Sequence, residues 1–204
     1  MSIKFKYNDG GRAEAGYKGD AGDCGCRAAS IALGVPYKTM YDLMNDYAKK
    51  ERITKRNRTR SSARDSYARK TFHKLMYHFG WVWVPCMSIG SGCKTHLNDG
   101  EIPSDQPIIC NLSKHYAAVV DGVLNDTYDS SRDGTRCVYG YWKKCDNFGE
   151  YAVYAGAQRF KEFTGSEEQC KRYIKEQWDM STRVIEKNPT FDVNKHDNSK
   201  VAGE

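Results

Sequence analysis

The chain has 204 residues, 39% of them hydrophobic and 12% aromatic, which suits one domain with a buried core and falls short of two full ones. Its net charge of +6 is unevenly spread: between Lys49 and Lys70 ten Lys or Arg stand against two acids, so that run contributes +8 and the remainder is slightly acidic. No stretch approaches membrane-spanning length and "MSIKFKYNDGGR" lacks the apolar core of a signal peptide, so no membrane partner and a cytoplasmic location are expected.

Residues 1 to 23 are rich in Gly, Asp and Lys and read as a polar lead-in. A helix is predicted from Cys24 to Leu33, with Ala28, Ile31 and Ala32 on one face and Gly34 at its end. Pro36 opens a second helix in which Tyr37, Met40, Tyr41, Met44 and Tyr47 recur at helical spacing. "KKERITKRNRTRSSAR" has no apolar period beyond Ile53 and reads as a mobile basic insertion at about residues 49–65. Phe72, Leu75, Met76 and Phe79 then mark a third helix, closed by Gly80.

"WVWVP" (Trp81 to Pro85) switches to a strand, and the Gly-rich stretch after it reads as loop. Strands are predicted at Ile108–Leu112 and Tyr116–Val120, with Asp121-Gly122 as a two-residue hairpin turn into Val123–Tyr128. A further strand fits Arg136–Trp142. Ser166 and Gln169 form a capping box before a stripe of Cys170, Tyr173, Ile174 and Trp178. Helices followed by an antiparallel sheet make an α+β fold, drawn as a single domain over residues 1–186 with a polar tail at 187–204.

Eight cysteines in a chain of this size without an export signal are expected as reduced thiols rather than a disulfide framework. Among them Cys24 sits at a helix start, where the partial positive charge of exposed N–H groups favours a thiolate. Gly19 and Gly22 leave its approach open, and its own N–H is placed to hold an oxyanion, whereas Cys26 points elsewhere into the core. A nucleophilic thiol needs a base, and of the five histidines His73, His78, His96 and His196 lack a suitable context. His115 begins a strand, and Asn125 and Asp126 lie on its hairpin partner, where an orienting group belongs.

"GDCGCRA" followed by a helix, and "SKHYAAVVDGVLNDTYDSS", resemble papain-like cysteine peptidases, in pattern the bacteriocin-processing peptidases and bacteriophage proteins with Asp-Cys-x-x-Arg-Ala. The similarity covers roughly residues 8 to 143 as an order of elements. It implies a papain-like fold with N-terminal helices packed on an antiparallel sheet, Cys24 as nucleophile, His115 as base and Asp126 as the orienting carboxylate. It also implies a cysteine hydrolase acting on a peptide or protein substrate, in a host cytoplasm if the chain is phage-encoded. The family places a Gln several residues before the cysteine as oxyanion donor. Here Lys18, Gly19 and Asp20 occupy that neighbourhood and an ionised Asp cannot donate, so Lys18, Asn111 or a backbone amide is left for the role.

The alternative is a papain-like binding or inhibitor protein without turnover, engaging nucleic acid or an acidic host protein through Lys55, Arg56, Arg58 and Arg60. No cofactor or metal is expected. Cys24 and Cys26, Cys86 and Cys93, and Cys137 and Cys145 lack zinc-knuckle spacing, and Ser131 and Gly140 break the pattern of a calcium loop at "DSSRDG". "GSG" at Gly90 to Gly92 is a turn without the rest of a phosphate loop.

Overall fold

Asp121 and Gly122 both adopt positive φ, 53° and 70°, the backbone that matches the right-handed twist of the strands they join. They link β4 (His115–Val120) to β5 (Val123–Asp126), which pair antiparallel with Val120 opposite Val123 and Ala118 opposite Asn125. On the other side β4 pairs with β3 (Ile108–Leu112) through a two-residue turn, Ser113-Lys114, that sets Leu112 opposite His115. The predicted strand over Val123–Tyr128 ends at Asp126, because the Thr127 N–H turns back onto the Asp126 carboxylate.

The computed structural model describes residues 2–55, 58–65, 67–88, 90–144, 151–155, 160–165, 167–176 and 183–187. Its contacts divide the chain into two units, one of Met1–Met76 with Trp83–Lys143 and one of Tyr77–Val82 with Lys144–Glu204. Cys145, Ser166, Trp178 and His196, and the tail beyond Lys187, lie outside the described residues.

The architecture is α+β, with four helices and a six-stranded sheet among the described residues. β1 (Lys4–Tyr7), β2 (Trp81–Pro85) and β6 (Gly140–Lys144) complete that sheet, in the order β1-β5-β4-β3-β6-β2. Ile108, Cys110, Leu112, Ala117, Val119 and Leu124 belong to one buried apolar cluster, which Ile3, Leu97 and Val138 also join. α1 (Cys24–Leu33) packs on β3, β4 and β5. Its buried side is small, made by Gly25, Cys26, Ala28, Ala29, Ser30 and Ala32, so helix and sheet approach closely. α2 (Tyr37–Lys49) buries Met40 and Met44 beside it. α3 (Arg69–His78) contributes Phe72, whose ring stacks on Tyr116 at 4.6 Å.

In the second unit β7 (Tyr151–Ala155) lies between β8 (Phe160–Gly165) and β9 (Arg183–Lys187), both antiparallel to it. α4 (Glu167–Glu176) packs against all three strands and fully buries Cys170.

Several expectations are corrected. The polar lead-in contains β1, whose four residues are all exposed; it is held by parallel backbone pairing with β5, so no apolar alternation marks it. The strand expected at Arg136–Trp142 starts at Gly140, because the backbone of Arg136 and Val138 bonds to Leu97 and Thr95 in the preceding loop. The cysteines are not all reduced: Cys93 and Cys137 form a disulfide beside the isolated bridge between His96 and Cys137. The strands β7, β8 and β9 are not anticipated by the sequence reading. No described helix is long and apolar enough to cross a membrane.

Candidate active site

Cys24 is the first residue of α1, and Asp23 immediately before it is the N-cap. The Asp23 side chain makes no capping bond and is fully buried; it is paired with Arg12 at 2.8 Å and with Arg27 one turn along the helix, and it accepts a 2.5 Å hydrogen bond from the Tyr37 hydroxyl. Three elements therefore converge on the residue that aims the thiol: the N-terminal loop, α1 and α2. Sequence reasoning missed this cluster, although the four-residue spacing of Asp23 and Arg27 on one helix face was a signal for it.

His115 opens β4, and Asp126 closes β5. Continuing the strand register puts Asp126 opposite Ala117, so the two side chains share a face as diagonal neighbours. Nε2 of His115 lies 2.6 Å from Oδ2 of Asp126, and both side chains are more than nine-tenths buried. Asp126 is held in turn by the Ser130 hydroxyl at 2.8 Å and the Thr127 N–H at 2.7 Å. Asn125 faces away and accepts from Asn8, so of the two sequence candidates it is Asp126 that meets the histidine. The half-exposed Tyr128 ring covers His115, with centroids 5.3 Å apart.

Cys24 and His115 line the same cavity, and the His115 ring and the Tyr116 backbone amide both act on the Cys24 thiol to lower its pKa. With Nε2 held by Asp126, Nδ1 is the ring nitrogen left for sulfur. Burial pushes the Cys24 pKa up, but the hydrogen bond and charge of His115, the Tyr116 amide and the charge of Arg27 outweigh it, and the net shift is downward. For His115 burial pulls the pKa down, yet hydrogen bonds to Asp126 and Cys24 and their charges push it up to about 9. Both shifts favour a thiolate beside an imidazolium. Cys26 behaves oppositely, since burial and the charge of Asp23 push its pKa up to about 12, so it is an inert core thiol.

A cavity of about 490 Å³ opens over Cys24 and His115, and Asn111 lies in its wall. Lys18 does not line it; its side chain is exposed and its carbonyl accepts from Arg12. Gly22 lines the cavity with Cys24, and a Cβ there would come 2.1 Å from the Asp65 carbonyl oxygen. The end of the basic stretch presses on the turn before Cys24, and Gly22 alone permits that contact. Lys55, Arg58 and Arg60 are exposed, whereas Arg56 lies outside the described residues. Among the described residues no group of His, Cys, Asp and Glu could hold a metal ion. No protein-family model, curated protein or solved structure matches the chain.

Proposed function

We propose that the protein is a papain-like cysteine hydrolase that cleaves an amide, peptide or isopeptide bond through an acyl-enzyme on Cys24. The observation that carries this reading is the buried His115–Asp126 pair at 2.6 Å in one cavity with Cys24, whose pKa His115 draws down. A lone buried cysteine would need neither a histidine partner nor a downward pKa shift.

In the proposed reaction the thiolate attacks the substrate carbonyl carbon, forming a C–S bond and placing negative charge on oxygen. The Cys24 N–H and the Asn111 carboxamide are the donors offered to that oxyanion. As the tetrahedral adduct collapses, the imidazolium gives its Nδ1 proton to the departing nitrogen and the C–N bond breaks. Neutral His115 then takes a proton from water, which attacks the thioester; the C–S bond breaks, and thiolate and imidazolium are restored. Asp126 remains ionised and holds the ring.

The test is a stopped-flow measurement with p-nitrophenyl acetate. A burst of nitrophenolate stoichiometric with protein, absent in Cys24→Ser, is the expected result. Equal slow release from both proteins would leave a papain-like binding protein without turnover.

A further inference from the structure

The basic stretch between α2 and α3 is partly built into the cavity wall. Ser62, Ala63, Asp65 and Tyr67 line the cavity, as do Lys114 of the β3–β4 turn and His115. The wall is fastened at several points. Glu51 accepts from the Ser61 N–H at 2.7 Å and from Thr71, Asn45 accepts from the Ala63 N–H at 3.1 Å, and the Tyr67 hydroxyl donates to the Met44 carbonyl. Arg64 reaches the Asp20 carbonyl, which ties the wall to the approach to Cys24.

The charges along this cleft are mostly of one sign. Arg69 and Lys114 both line the cavity, Arg69 positioned by a hydrogen bond to His73 and by the Trp83 ring 5.7 Å from its guanidinium carbon. Neither has a carboxylate partner among the described residues. Of the two carboxylates lining the cavity, Asp23 is neutralised by Arg12 and Arg27, which leaves Asp65 as the single uncompensated one. Exposed Lys55, Arg58, Arg60 and Arg64 extend the positive field outward from that wall.

We propose that the cleft selects an acidic peptide segment, with Asp or Glu side chains flanking the bond presented to Cys24 and read by Arg69 and Lys114. This rests on the cysteine hydrolase reading and adds its substrate class. An acidic peptide suits the cleft better than nucleic acid because Arg69 and Lys114 line the same cavity as a thiol–imidazole pair that acts on acyl carbon.

The experiment is protection of Cys24 from iodoacetamide by hexaglutamate, hexalysine or a single-stranded oligonucleotide, followed by mass spectrometry in the full chain. Hexaglutamate is expected to slow labelling of Cys24 and hexalysine to leave it unchanged. Arg69→Gln and Lys114→Gln should each weaken that protection by about threefold to fivefold, and high salt should weaken it further. Equal protection by hexalysine, protection by the oligonucleotide alone, or protection by hexaglutamate that both variants retain would overturn the acidic-peptide assignment. Preferential labelling of Cys24 without any peptide tests the hydrolase reading separately, so the two failures are distinguishable.

Discussion

Oδ2 of Asp126 lies 2.6 Å from Nε2 of His115, and the same oxygen accepts from the Ser130 hydroxyl at 2.8 Å. A buried carboxylate fixed on two sides holds the imidazole in one orientation and stabilises its charged form, which leaves Nδ1 as the ring nitrogen for Cys24.

Replacing Asp126 by Asn keeps the shape and removes the charge. Hydrolysis by the wild-type protein is expected to fall on the alkaline side as His115 loses its proton near pH 9. In Asp126→Asn that limb should move to lower pH, and for every pH unit it moves the ion-pair population above it falls about tenfold. A pH–rate profile of kcat/KM checks this, and an unmoved alkaline limb would detach Asp126 from the site.

The raised pKa of His115 also sets the sign of a stability change. The folded pKa of His115 lies above its ordinary 6.5, so its stabilisation is complete below about 6.5 and is lost as pH rises through the folded value. Cys24 is shifted the other way and opposes this trend, since its stabilisation grows as pH rises toward the ordinary thiol range. In Cys24→Ala, where Asp126 alone raises the His115 pKa, thermal stability should therefore decline with pH from about 6.5 upward. The further substitution His115→Gln should flatten the decline, as thermal melts at closely spaced pH values would show.

Asp23→Ala would leave the guanidinium groups of Arg12 and Arg27 without their buried carboxylate. Removing one partner of such a cluster costs roughly 3–5 kcal/mol, so a large drop in the urea midpoint is expected. Asp42→Ala, which removes only an exposed i, i+4 pair with Lys38, should leave the midpoint nearly unchanged and serves as the control.

Gly22→Ala places a methyl group against the Asp65 carbonyl, so the wall segment or the turn before Cys24 must move. Misplacement on the scale of an ångström near a reacting group costs up to about a hundredfold in rate. A clear fall in kcat/KM with retained secondary structure by circular dichroism is the expected result. Unchanged kinetics would show that the wall does not set the geometry of the thiol.

The parts of the fold that bury an apolar face were legible in the sequence. Met40 and Met44 on α2, Phe72 and Leu75 on α3, and the apolar runs through Ile108 to Val120 each announce an element. Asp121-Gly122 marked the hairpin, and the hairpin brings His115 to Asp126. β1 was not legible, because Lys4 to Tyr7 is exposed throughout and pairs with a strand more than a hundred residues away. The Cys93–Cys137 disulfide and the packing of Asp65 on Gly22 were hidden for the same reason, since both join segments distant in sequence. Cys24 could be singled out by its helix start, whereas the buried Asp23 cluster behind it needed the third dimension.

The most direct test of the central claim is the rate at which iodoacetamide modifies each cysteine at about pH 6.5, the ordinary histidine pKa. Cys24 is predicted to react ahead of half-buried Cys86 and of the buried Cys26 and Cys110, and His115→Ala should slow that reaction by about tenfold or more. Labelling of Cys24 no faster than of Cys86, or a rate unchanged by His115→Ala, would contradict it.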